Sequence, residues 1–153
     1  MPATLKIFRP SRRTRDAVMP GAELLGLRSR TPNEVEGELQ RGLPLDAITR
    51  FRDALGIPEV EFAHLLDFSI ATLHRRKSAK QRLKPDESGR LFRLARLLSR
   101  ALMVLGNLVE ARTWLHEPLL AIGNRTPLEA ARTELGAELV LQVLGRLEDG
   151  VYS

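Results

Sequence analysis

The stretch that most limits what this chain can fold into is Leu91 to Leu105. Leu91, Phe92, Leu94, Ala95, Leu97, Leu98, Ala101, Leu102, Met103, Val104 and Leu105 all fit one helix and leave it only a narrow polar stripe. A surface helix shows one apolar face about 100° wide, so a helix apolar nearly all round has to be buried on several sides. Arg90, Arg93, Arg96 and Arg100 recur three or four apart and supply its wet edge. Pro85 suits a first turn, Asp86 and Glu87 favour the positive end of the helix dipole, and Gly106 offers the stop. The run from Pro85 to Leu105 is about as long as a membrane span, but its arginines exclude that reading. The expectation is a central core helix, with some surplus apolar surface left for a second subunit.

A core of this kind needs enough chain around it. At 153 residues, with 43% apolar and 28% charged side chains, there is room for one compact domain or two small ones, and too much apolar surface for disorder. The absence of Cys removes disulfides and thiolate metal sites and fits a reducing cytoplasm. No apolar run follows Lys6 and Arg9, so no signal peptide is expected. Charge is unevenly spread: 16 Lys and Arg face 10 Asp and Glu up to Lys84, and 8 face 9 from Pro85 on, which together return the totals of 24 and 19. A basic front half and a near-neutral rear half point to an anionic partner for the front alone.

Residues 1–20, with Lys6, Arg9, Arg12, Arg13 and Arg15 among prolines, read as a flexible basic arm, and Glu23 to Arg30 as a short helix. Thr31, Pro32 and Glu34 spell a capping box opening a helix that runs to Arg41 and stops at Gly42. Leu45, Ile48, Phe51 and Leu55 mark the next, with Gly56 as its cap. Pro58 opens a third, with Val60, Phe62, Ala63, Leu65 and Leu66 expected on its inner face.

Ser69 is a good N-cap for a fourth helix, Ile70 to Arg76, and two short helices joined by a brief turn make a helix-turn-helix. Ala63 leaves room for the close approach, and Leu66, Phe68, Ile70 and Leu73 lock the pair. Asp67 stands where a left-handed residue is needed, a conformation Asp tolerates. Arg76 falls where an apolar residue is usual, which predicts an early end or a tilt of the second helix. Ser69, Ile70, Thr72 and Arg75 lie where base edges are reached; Arg76, Lys77, Lys80 and Arg82 extend the surface into a phosphate clamp, with Lys84 beyond. The alternative is a helical hairpin used only for packing.

Beyond the central helix, Asn107 caps Leu108–Leu115, Pro118 breaks it, and Gly123-Asn124-Arg125 turns the chain. Thr126-Pro127-Leu128-Glu129 starts a short helix to about Glu134; Gly136 follows, and a last helix uses Leu139, Val140, Val143, Leu144 and Leu147. His64, His74 and His116 have no ligand spacing, no phosphate loop or nucleophile elbow occurs, and no acid–base pair stands out. A non-enzyme without metal or cofactor is expected.

Ala111 to Leu115, Pro118, Leu119, Gly123, Thr126 to Ala130, Thr133, Gly136, Val140, Leu144 and Arg146 to Ser153 resemble the toxin-binding domain of Xre/MbcA/ParS antitoxins. Ala71 to Arg76 and Leu83 to Leu91 resemble the same family's Xre-like DNA-binding half. The likeness runs from about Leu43 to the C-terminus. It implies an all-α chain: an Xre-like helix-turn-helix unit, then a small helical toxin-binding domain, joined through the long central helix. The division would be 1–42 for the arm and short helices, 43–84 for the helix-turn-helix, and 85–153 for the central helix and toxin-binding domain. It implies a cytoplasmic antitoxin that caps the active site of a RES-domain, NAD-depleting toxin and represses its own promoter as a homodimer. The toxin-facing surface would hold Trp114, Leu119, Leu120, Ile122, Arg125, Val151, Tyr152 and Ser153. Trp114 is equally a core anchor, whereas Leu119, Leu120 and Ile122 are apolar with no helix to bury them. Two alternatives stay open: a stand-alone dimeric regulator with a dimerising or ligand-sensing C-terminal half, and a protein-binding inhibitor that has lost DNA binding.

Overall fold

The computed structural model of the protein describes residues 19–28 and 31–150; most of the expected basic arm and all of Val151, Tyr152 and Ser153 lie outside the described residues. The fold is all-α. Helices α1 (Pro32–Arg41), α2 (Asp46–Leu55), α3 (Glu59–Leu65) and α4 (Ile70–Ser78) precede the long α5 (Pro85–Leu105), and α6 (Leu108–Leu115), α7 (Pro127–Ala130) and α8 (Glu134–Glu148) follow it.

Helix α5 is the axis. Leu91, Leu94, Ala95, Leu97, Leu98 and Ala101 are buried within it, each leucine contributing roughly 1.5–3 kcal/mol by leaving water. It packs against α1, α2, α6, α8 and the 3-10 turn Glu23–Leu25. Its arginines do more than face water. Arg90 donates to the Leu66 carbonyl at 3.2 Å, Arg93 reaches Glu134 and the Arg132 carbonyl, and Arg100 pairs with Glu148; Arg96 alone of the four is exposed. Two buried serines complete the seam: Ser88 Oγ accepts the Leu43 N–H at 2.9 Å, and Ser99 donates to Glu23.

The start and stop signals of α1, α2, α5 and α6 sit where the sequence places them, down to the Thr31–Glu34 capping box and left-handed Gly56 and Gly106. Other expectations change. Of the helix expected over Glu23–Arg30, the described residues form a single 3-10 turn, Glu23–Leu25, because Gly26 turns left-handed and its N–H bonds the Glu23 carbonyl. Val60 is 68% exposed, not inward, since two residues rotate a helix by about 200° from buried Phe62. Helix α7 ends at Ala130, and α8 starts before Gly136, not after it. Thr133 is the cap, its Oγ1 accepting the Gly136 N–H at 3.1 Å. Gly136 is a packing residue in the first turn of α8: a Cβ there would lie 1.8 Å from the Ala130 carbonyl oxygen.

Candidate nucleic-acid and partner-protein surfaces

The turn between α3 and α4 is built from local hydrogen bonds. Asp67 adopts φ +62, and the Phe68 N–H returns to the Ala63 carbonyl at 2.8 Å. Ser69 then caps α4, its Oγ accepting the Thr72 N–H at 3.1 Å. Ala63, Leu66 and Leu73 are buried between the helices, with Phe68 and Ile70 half-buried at the rim. This is a helix-turn-helix.

Its outer surface is cationic. Ser69, Arg75, Lys80 and Arg82 are exposed; Ile70, Thr72 and Lys77 are half-buried. Lys77 is partly matched, lying 3.8 Å from Glu59, a carboxylate that also meets His74 at 2.8 Å and Arg52 at 3.5 Å. Loss of hydration works against the charge on Glu59, but the His74 hydrogen bond and the Lys77, His74 and Arg52 charges outweigh it and hold the carboxyl below its ordinary value. Arg82 spends one guanidinium nitrogen on the Gly42 carbonyl at 2.8 Å.

Arg76 departs from the expected arrangement. The helix does not end early at Arg76 but continues to Ser78, and the Arg76 side chain is buried beneath the surface where a DNA contact was expected. Its Nη1 meets both carboxylate oxygens of Glu87, at 2.7 and 2.8 Å, and its Nη2 donates to the Arg82 carbonyl at 2.8 Å. The guanidinium also lies over the Phe68 ring, 5.3 Å from the centroid. The apolar position is thus filled by an arginine whose charge is satisfied inside. Burial opposes the charge on Glu87, but the hydrogen bonds from Arg76 and from the Lys84 N–H, together with the Arg76 charge, keep its carboxyl below the ordinary value.

The second surface lies past α6. Leu119 and Arg125 form an isolated antiparallel bridge, with the Leu119 N–H donating to the Arg125 carbonyl and the Asn124 N–H to the Leu119 carbonyl. Between them a 3-10 turn, Leu120–Ile122, is closed by left-handed Gly123 and Asn124, and Arg125 Nε donates to the Ile122 carbonyl at 3.1 Å. The turn separates three leucine-like side chains expected to act together. Ile122 is only 3% exposed and belongs to the core, Leu119 is half-buried, and Leu120 stands out at 89%. Ile122 therefore cannot be a surface contact as the loop stands. Trp114 is half-buried against the core and Arg125 is exposed. Sequence reasoning missed three other exposed apolar side chains of this half, Met103, Val109 and Leu135. Met103 was hidden by its place in the apolar run; Val109 and Leu135, beside helix caps, carried no signal of their own.

The histidines sit at junctions between helices. His64 lies 3.6 Å from Glu129, and His116 lies 3.2 Å from Glu61 while its Nδ1 bonds the Arg112 carbonyl. Arg112 caps the end of α2 through the Ala54 and Asp53 carbonyls. Among the described residues there is no cluster of three or more His, Cys, Asp or Glu suited to a metal, and no helix long and apolar enough to cross a membrane.

Comparison with known proteins gives both surfaces a context. Residues 34–96 match the Antitoxin Xre-like helix-turn-helix domain, and residues 100–150 match the Antitoxin Xre/MbcA/ParS C-terminal toxin-binding domain. The chain is 30% identical over 130 residues to Antitoxin Xre of Yersinia enterocolitica, covering 84% of this chain and 88% of that one. It is 26% identical over 150 residues to Antitoxin Xre of Photorhabdus laumondii, covering 97% and 100%. A Prs ADP-ribosylating antitoxin of Sphingobium is 24% identical over 136 residues, covering 80% and 83%.

Proposed function

This chain belongs to the Xre/MbcA/ParS family of antitoxins, and from that premise we propose that it caps the active site of a RES-domain, NAD-depleting toxin and represses its own operon as a promoter-bound homodimer. The observation that carries the reading is a pair of chemically opposite surfaces: a cationic one on α4 and the loop after it, and an apolar one on the toxin-binding domain. Ser69, Ile70, Thr72 and Arg75 present to base edges at the front of α4, with Lys77, Lys80 and Arg82 on phosphates. Leu120 is the apolar anchor toward the toxin, on a loop closed by the Leu119–Arg125 bridge, and Trp114, Leu119 and Arg125 flank it. Met103, Val109 and Leu135 extend the apolar area, and Val151, Tyr152 and Ser153 are assigned to the toxin as its tail contact. Functionally the chain divides into residues 1–42, 43–84 and 85–153, working in the cytoplasm with no cofactor.

The name of the Sphingobium relative favours a second reading, in which the partner transfers ADP-ribose to a protein instead of depleting NAD⁺. One experiment separates the two. The chain is co-expressed with the product of the neighbouring gene, and complex formation, growth, cellular NAD⁺ and protein ADP-ribosylation are followed with and without it. NAD⁺ collapse prevented by the chain supports the first reading; ADP-ribosylated protein with NAD⁺ preserved supports the second; no recovered complex refutes both. Gel shifts on the chain's own upstream DNA test the repressor role, since phosphate neutralisation requires affinity to fall steeply with salt.

A further inference from the structure

The Arg76–Glu87 pair is one node of a network that pins the loop following the recognition helix. Arg76 and Glu87 are each 8% exposed. Arg76 leaves α4, Glu87 leaves the first turn of α5, and the basic loop between them is drawn in from both ends. Its Arg82 carbonyl accepts from Arg76 and its Lys84 N–H donates to Glu87 at 2.7 Å. The same loop is pinned to the α1–α2 junction: Arg82 Nη1 donates to the Gly42 carbonyl, and the Leu83 N–H donates to the Leu43 carbonyl at 2.9 Å. Gly42 permits this approach, because a Cβ there would lie 2.0 Å from the Leu83 carbonyl oxygen.

A buried ion pair is a weak source of stability, since loss of hydration offsets much of the attraction. Its geometry is directional: a guanidinium held by a carboxylate, a carbonyl and a ring face has one orientation. We propose that Arg76 and Glu87 are positioning residues for DNA recognition, setting the angle of α4 and the path of the 79–84 loop without touching DNA themselves. This rests on the helix-turn-helix being the DNA-binding surface, and it deepens that reading by assigning specificity to a pair below the surface.

The test compares binding to a duplex of the chain's own upstream sequence with binding to a scrambled duplex of equal composition. The full chain carries Arg76→Met with Glu87→Leu, which replaces both charges by apolar groups of similar reach. The expected result is an unchanged helical signal, an unchanged salt slope on the scrambled duplex, and a preference for the upstream duplex reduced by roughly ten- to a hundredfold. Arg76→Lys, which keeps the charge but lacks the planar two-nitrogen fork that serves Glu87 and the Arg82 carbonyl, should recover part of that preference. Undiminished preference in the double variant overturns the proposal, and so does a shallower salt slope, which would make Arg76 a phosphate contact. Should the double variant fail to fold, Glu87→Gln decides: an intermediate loss of preference is expected, and wild-type preference overturns the assignment. A wild-type chain that shifts neither duplex refutes the DNA-binding reading itself, which distinguishes that failure from this one.

Discussion

Replacing Lys80 with glycine should make the protein more stable and a poorer DNA binder at once. Helix α4 ends in a Schellman arrangement, with the Gln81 N–H on the Arg76 carbonyl and the Lys80 N–H on the Lys77 carbonyl, both at 3.1 Å. That geometry puts Lys80 at φ +51, where glycine is the usual occupant. A residue with a Cβ costs roughly 1–2 kcal/mol in the left-handed region, while glycine loses about 0.5–1 kcal/mol more backbone entropy on folding, leaving a net gain of about 0.5–1 kcal/mol for Lys80→Gly. For a chain of this size that is a rise in Tm of roughly 1–4 °C. Among the described residues the exposed ammonium makes no ion pair, so little opposes the gain. If Lys80 meets a phosphate, its loss also flattens the plot of log affinity against log salt by about 0.9. Thermal melts and gel shifts across a salt series read the two effects separately. A fall in Tm would show that the side chain has a structural use outweighing its backbone strain. An unchanged salt slope would remove Lys80 from the phosphate contacts.

Three further perturbations bear on other parts of the molecule. Gly136→Ala forces a Cβ against the Ala130 carbonyl and should cost roughly 1–3 kcal/mol or more, read as a lower urea midpoint with unchanged slope. The depressed carboxyls of Glu59 and Glu87 give stability that is fully present above the unfolded value of about 4.3 and is lost as pH falls through their folded values. Glu87→Gln should therefore lower Tm at neutral pH and soften its decline toward acid; an acid limb identical to wild type would exclude Glu87 as a contributor. Leu120→Asp should abolish toxin neutralisation while shifting Tm by less than the error of the melt, because the side chain is already in water; intact protection of toxin-expressing cells would remove Leu120 from the interface.

What could be read from sequence was set by the range of the interaction responsible. Caps and stops are decided within four residues, so Thr31–Glu34, Ser69, Asn107 and Gly106 declare themselves. The apolar run of α5 declares its burial because no other environment suits it. Arg76 misleads for the opposite reason: its partner is 11 positions away on another helix, and nothing local distinguishes a buried paired arginine from a phosphate contact. Ile122 and Leu120 are alike in sequence, and only the direction of a 3-10 turn decides which reaches solvent. Gly136 reads as a helix break until the Ala130 carbonyl is seen to fill the space of its missing side chain.

The two matched domains meet inside α5, between residues 96 and 100, and the packing ties the two together across that junction. Within that same stretch, the backbone of Ala95 and Arg96 leaves no room for a Cβ on Gly21, and Ser99 bonds Glu23, so the N-terminal segment is seated there. One turn on either side, Arg93 holds Glu134 and Arg100 holds Glu148, so α8 of the toxin-binding domain runs along the same few turns. Leu97 and Leu98, fully buried among them, belong to a core that neither domain completes alone. Nor is α5 the only tie, for Arg112 of the toxin-binding domain donates to the Asp53 and Ala54 carbonyls at the end of α2, beside its Gly56 cap. On the proposed function, a toxin bound against α6 or α8 would sit on helices packed directly on α5, whose first turn carries Glu87, the partner of Arg76.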